Sequence, residues 1–150
     1  MIRLSKLTDY AVTILSYMGQ DAGKALWSSN EITKSSGLAM PTVAKIMKLL
    51  AKGELITPVR GASGGYRLAK PMAEITIAEI IESMDGPIAI TDCAKAAHNR
   101  AGCSIKNICP MSNGWKKVNS AIIKALASVT LEDMTLVFPE EKSTRKNEGK

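Results

Sequence analysis

Residues 40–68 read MPTVAKIMKLLAKGELITPVRGASGGYRL, and two patterns succeed one another within them. Up to Gly53 the apolar side chains Val43, Ile46, Met47 and Leu50 fall on one helical stripe. Pro41 stands where the first turn of a helix tolerates it, while Lys45, Lys48 and Lys52 project away from the stripe. After Gly53 come two short strand-like runs, 57–60 and 66–68, around the tip Gly61-Ala62-Ser63-Gly64-Gly65. Two such runs with a glycine-rich tip predict a hairpin. Just upstream, Ser28 or Ser29 is placed to cap a short helix through Glu31, Ile32 and Ser35, and Gly37 to end it. Two short helices joined by a tight glycine turn and followed by a hairpin predict a winged helix-turn-helix.

Outward from this unit the chain reads as mainly helical. Leu7, Tyr10, Ala11, Ile14, Leu15 and Met18 predict an amphipathic helix over 4–19. Thr76-Ile77-Ala78-Glu79 has the form of a capping box, and Ile77, Ile80, Ile81 and Met84 continue it as a core helix stopped by Gly86-Pro87. Hydrophobic periodicity is lost over 91–114, which predicts an irregular loop. It returns at Trp115, where Val118, Ile122, Ala125, Leu126 and Val129 recur every three or four residues. Ile122, Leu126 and Val129 are expected to face water unless a second copy covers them, so a homodimer is expected. Thr130 to Asp133 can cap a last turn, and the charged, unpatterned end predicts a disordered tail. The expected organisation is a DNA-binding domain over 1–85, a cysteine-rich loop over 86–114, a long C-terminal dimerisation helix over 115–137 and a tail over 138–150.

The charge is not spread evenly. The chain of 150 residues carries a net +6, and the segment 34–70 holds seven Lys/Arg against Glu54 alone. A basic segment beside a neutral remainder points to a polyanion, here double-stranded DNA. Aromatic residues at 4% are too few for the stacking platforms that read single-stranded RNA. The second helix is expected to enter the major groove with Pro41, Thr42 and Lys45 nearest the bases or backbone and Lys48 on phosphate. Arg60 and Arg67, with Ser63 and Gly64 between them, are expected to lay the wing against the DNA backbone or a minor groove. With one His and no nucleophile–base pattern or phosphate-cradling loop, nothing supports an enzyme or a small-molecule substrate. No apolar run approaches the length of a membrane span, so the expectation is a cytoplasmic protein with no membrane partner.

Cys93, Cys103 and Cys109 lie in a polar loop, with His98 in the first gap. Thiolates gathered there need a cation to offset their charge, so a metal centre accounts for them better than burial. Zinc could take all four side chains in a closed structural site; an iron–sulfur cluster could take the three Cys and a weaker fourth ligand. The spacing leaves both open.

The stretch Arg3-Leu4-Ser5-Lys6-Leu7-Thr8-Asp9-Tyr10-Ala11, the wing from Arg60 to Leu68, the three-cysteine loop and the helix after it together resemble the Rrf family of winged-helix regulators. The resemblance covers about residues 1–137. Gly86-Pro87-Ile88-Ala89-Ile90-Thr91-Asp92-Cys93, Asn113-Gly114-Trp115 and Val129-Thr130-Leu131 are most similar to its regulators of SUF iron–sulfur assembly, a branch akin to the IscR, NsrR and RirA types. It implies a homodimer on a pseudo-palindromic operator, with one cluster per subunit, either 2Fe–2S or 4Fe–4S. In NsrR-like members an acid from the partner's first helix completes the cluster, and the matching position here is Asp9. The gap from Cys93 to Cys103 is longer than in IscR-like members, which leaves Asp9 and His98 both open as the fourth ligand. The implied function is cluster-sensing repression of iron–sulfur assembly (suf) genes; the alternative is a zinc-stabilised winged-helix binding or scaffold protein that senses nothing.

Overall fold

Four of the helices begin on hydroxyl caps. In the computed structural model, which describes residues 3–21, 24–94 and 108–136 apart from the side chains of Cys93 and Leu136, Ser5 caps α1 (Lys6–Gln20) by accepting from the Thr8 amide at 3.1 Å. Ser28 and Glu31 form a reciprocal capping box at the start of α2 (Ser29–Ser36). Such caps satisfy backbone donors that the first helical turn leaves without partners. The α2 helix ends on Gly37, whose φ of +70° is cheap only for glycine. Three residues on, α3 (Met40–Lys52) opens without a side-chain cap and with Pro41 in its first turn. Its exit is tight: Glu54 takes φ +60° and Leu55 N–H donates back to Leu50 O at 3.0 Å.

The chain then enters β1 (Ile56–Val59) and β2 (Gly65–Leu68), antiparallel with Pro58 opposite Tyr66. The expected hairpin is present, and it has a further rung on its outer edge that the sequence pattern does not announce. Trp27, between α1 and α2, exchanges both backbone hydrogen bonds with Tyr66 at 2.8 Å each. The wing is thereby tied to the segment that leads into α2. A Cβ at Gly65 would stand 2.7 Å from the Trp27 carbonyl oxygen, closer than such atoms approach. Gly65→Ala is therefore expected to destabilise the chain by roughly 1–3 kcal/mol. The Trp27 and Tyr66 amides should lose hydrogen-exchange protection while α1 keeps it; an unshifted melting temperature would show that the rung contributes nothing.

The core forms where the apolar stripes meet. Ala11, Ile14, Leu15 and Met18 of α1 and Val43, Ile46, Met47 and Leu50 of α3 are all buried. They meet Ile77, Ile80 and Ile81 of α4 (Ile77–Asp85), which starts on the predicted Thr76–Glu79 capping box. Close approach of α3 to α4 needs Gly53, where a Cβ would lie 2.3 Å from Ser83 Oγ. The Ser83 hydroxyl donates to Leu49 O at 3.0 Å across the same contact. At the opposite end, buried Thr8 donates to Asp85 Oδ2 at 2.7 Å, joining the start of α1 to the end of α4.

The C-terminal part departs from the expected single helix over 115–137. It is split into α5 (Ser112–Ala127) and α6 (Leu131–Leu136), and α5 starts three residues before Trp115. The break is held by two bonds to the core, from Ile77 N–H to Val129 O at 2.9 Å and from Leu131 N–H to Ile75 O at 2.8 Å. Leu131 is fully buried, and Thr130 and Asp133 cap α6 as their spacing suggests. Leu126 and Val129 lean on the core rather than facing water, because this tether pulls that edge of the helix pair inward. The uncovered edge of α5 is instead formed by Trp115 and Val118, each 44% exposed, with Met111 just ahead of the helix. The expected tail over 138–150 lies outside the described residues.

Candidate functional site

Because Val43, Ile46, Met47 and Leu50 face inward, the helical period turns Pro41, Ala44, Lys45, Lys48 and Lys52 outward, and all five are exposed. Thr42 is half-buried at the flank of this face. Beyond the helix, Arg60 and Arg67 are exposed on the wing on either side of its tip. None of these five cations forms an ion pair among the described residues. The pairs present elsewhere are Lys24–Glu31 at 2.7 Å and Lys70–Glu79 at 2.6 Å. An uncompensated cationic helix face beside a cationic wing is suited to a polyphosphate backbone. The major groove admits an α-helix, and Pro41, Thr42 and Ala44 stand at the N-terminal end of this one. Ala44 belongs to this face although charge and motif give it no signal; only its position three residues after Pro41 does.

The wing tip explains two further residues. Ser63 is exposed. Gly64 N–H is already donated to Gly61 O at 3.0 Å, and a Cβ there would lie 2.4 Å from Val59 O. What Gly64 offers is therefore a close turn rather than a free donor.

The first helix of the pair is fixed electrostatically. Glu31 is held down to about 2 by the hydrogen bond from Lys24, then by the Ser28 amide and hydroxyl. A carboxylate lowered on folding adds stability above its unfolded value and loses it as pH falls toward the folded one. The Glu31 contribution should thus be complete at neutral pH and lost as pH falls from about 4.5 to about 2. The Ser28 and Glu31 amide shifts of the folded protein, followed by NMR, should titrate with a midpoint near about 2 in wild type and stay flat in Glu31→Gln.

The cysteine residues are placed as far as the description reaches. Cys93 lies in a short 3-10 turn, Asp92–Ala94, which packs against α5. Cys109 is a free, half-buried thiol three residues before Ser112, the first residue of α5. Cys103 and His98 lie outside the described residues. Asp9 is exposed on α1, beside a shallow groove whose far wall is Met134 and Thr135 of α6. Among the described residues no three His, Cys, Asp or Glu side chains come close enough to hold a metal ion. No helix among them is long and apolar enough to cross a membrane.

Comparison with known proteins gives the same architecture. The family model described as "Rrf2: Iron-dependent Transcriptional regulator" matches residues 4–136. The HTH-type transcriptional regulator NsrR of Oceanobacillus iheyensis is 31% identical over 133 residues, covering 89% of each chain. The solved structure of T. potens IscR superposes with a TM-score of 0.65 at 26% identity, over 97% of this chain and 94% of that one. CymR, the global cysteine regulator of B. subtilis, has a TM-score of 0.68 at 24% identity, over 93% of this chain and all of the other, and shows the fold alone.

Proposed function

The chain belongs to the Rrf2 family of transcriptional regulators, and from that premise we propose that it is a homodimeric repressor whose grip on its operator is set by an iron–sulfur cluster in the cysteine loop. The observation that carries the DNA-binding half of this reading is the unpaired cationic face of α3 and the wing, held rigidly by the core and by the Trp27–Tyr66 rung. Pro41, Thr42 and Lys45 face the bases; Lys48, Arg60 and Arg67 take phosphate, with Ser63 and Gly64 letting the tip approach. The reading excludes catalysis, consistent with a family of regulators.

For the cofactor, the donor chemistry fits. Cysteines stand at both ends of the loop, Cys93 in a turn that packs against α5 and Cys109 three residues ahead of that helix, and soft thiolates suit iron–sulfur centres and zinc alike. The family's description as iron-dependent favours iron over zinc. Cys93, Cys103 and Cys109 would hold the cluster, with Asp9 of a second subunit or His98 as fourth ligand. A cluster there would supply sensitivity to iron and oxidants. The chain's own part is to keep the two ends of the loop on one helix, so that order in the loop bears on α5. The suf genes are proposed as targets on the resemblance of 86–93, 113–115 and 129–131. The uncovered Trp115–Val118 edge supports dimerisation through α5.

The interface is tested by salt dependence. Losing one phosphate contact lowers the slope of log K against log salt by about one unit. Arg60→Ala and Lys48→Ala should each flatten that slope and weaken operator and random DNA alike. Thr42→Ala should reduce discrimination between the two with the slope unchanged. Wild-type slopes in both cation variants would remove these side chains from the interface.

A further inference from the structure

Among the described residues Asn119 is the buried position of α5, 5% exposed on a helix whose other side chains are half-buried or exposed. A buried amide is costly unless its donor and acceptor are both used. Here both are. Asn119 Nδ2 donates to Ile88 O at 3.0 Å, and Asn119 Oδ1 accepts from Ile90 N–H at 3.0 Å. The two groups flank one residue, so the side chain takes the place a parallel neighbouring strand would take. The segment it grips has left α4 at Gly86, where φ is +85°, and runs directly into the turn that carries Cys93. Upstream, Asp85 is fastened to α1 through Thr8. Downstream, the cysteine loop returns to α5 through Cys109.

We infer that Asn119 is the positioning residue of the cysteine loop: it pins the Cys93 end to the same helix that carries the Cys109 end. This rests on reading the loop as the cluster site, and it adds the element that fixes the ligand spacing. With both ends on α5, a change in the loop is delivered to the helix whose other edge is free to meet a second subunit. Without the clamp, Ile88 O and Ile90 N–H have no partner from α5, and the Cys93 end can drift relative to Cys109. A side chain of similar size but no hydrogen bonds, such as leucine, cannot substitute.

The test uses the full-length chain under anaerobic conditions, as wild type, Asn119→Ala, Asn119→Asp and, as a control on the exposed neighbour, Ser120→Ala. Two quantities are read: amide exchange at Ile90 and 91–94 in metal-free protein, and the rate at which a chelator bleaches the visible absorption of reconstituted protein. Asn119→Ala removes both bonds and is expected to speed both rates by at least about tenfold. The Trp27 and Tyr66 amides should not change. Asn119→Asp keeps the acceptor for Ile90 but sets a carboxylate oxygen against Ile88 O, so it should protect Ile90 in part and still release metal faster. Ser120→Ala should behave as wild type. If Asn119→Ala also loosens the wing amides, Asn119→Asp becomes the deciding variant. Wild-type exchange at Ile90 overturns the inference, and so does faster exchange with unchanged metal release. If wild type takes up no cluster, the proposed function fails. Ile90 exchange and the alkylation rate of Cys93 in metal-free protein then decide the clamp by the same criterion.

Discussion

A chain carrying Trp115→Glu and Val118→Glu is expected to sediment as a monomer and to lose at least about a hundredfold in operator affinity, the range that bivalency contributes. Trp115 and Val118 share the open edge of α5 with Met111, at spacings of four and three residues, and none of the three is covered by the chain's own core. Covering side chains of this size contributes on the order of 1.5–3 kcal/mol each, whereas a buried carboxylate opposes association. The substitutions should leave the helix itself intact, because glutamate is a good helix former. Leu126 and Val129 would be the wrong choice, since they rest on the core and their replacement tests folding. A dimer that persists with unchanged operator affinity would place the interface elsewhere.

Cys93→Ala, Cys103→Ala and Cys109→Ala should each abolish visible absorption and bound iron in anaerobically prepared protein, and should alter operator affinity by a common factor. Three thiolates brought together repel one another when nothing binds them, and a loop poor in apolar residues has little else to fold around. Removing any one thiolate should therefore give the same unligated state. One of Asp9→Ala and His98→Ala should instead leave a cluster that bleaches faster, and the variant that does so identifies the fourth ligand. Zinc in place of iron would give a colourless wild type and would support the scaffold alternative.

How far the fold could be read follows from which interactions leave a periodic trace. Helical stripes and caps do: Val43 to Leu50, the Thr76–Glu79 box and Gly37 all stand where their spacing puts them. So does the hairpin, shifted by one residue, because its glycine-rich tip dictates a reversal. What escapes are single contacts between distant segments. The Trp27–Tyr66 rung involves one residue of a loop, Leu131 is buried through a backbone tether at Ile75, and Asn119 reads as an ordinary polar residue on a helix. The same tether explains why one predicted helix is two, and why Leu126 faces the core. In the site, the outward face of α3 follows from its inward stripe, which is why Lys45, Lys48 and Lys52 could be placed and Ala44 follows geometrically. The fourth ligand is not legible, since a ligand supplied across subunits has no spacing within one chain.

On this reading one protein both binds DNA and reports the state of its cysteine loop. The most direct measurement takes a single anaerobic sample of wild type and an operator selected from random DNA by the protein itself. Its two half-sites are expected about one helical turn, about 34 Å, apart. Affinity is measured before and after the cluster is removed by a chelator, at constant salt. The account predicts that removal shifts affinity to the value shared by Cys93→Ala, Cys103→Ala and Cys109→Ala. Equal affinity before and after, with the three variants binding as the loaded wild type does, would contradict it.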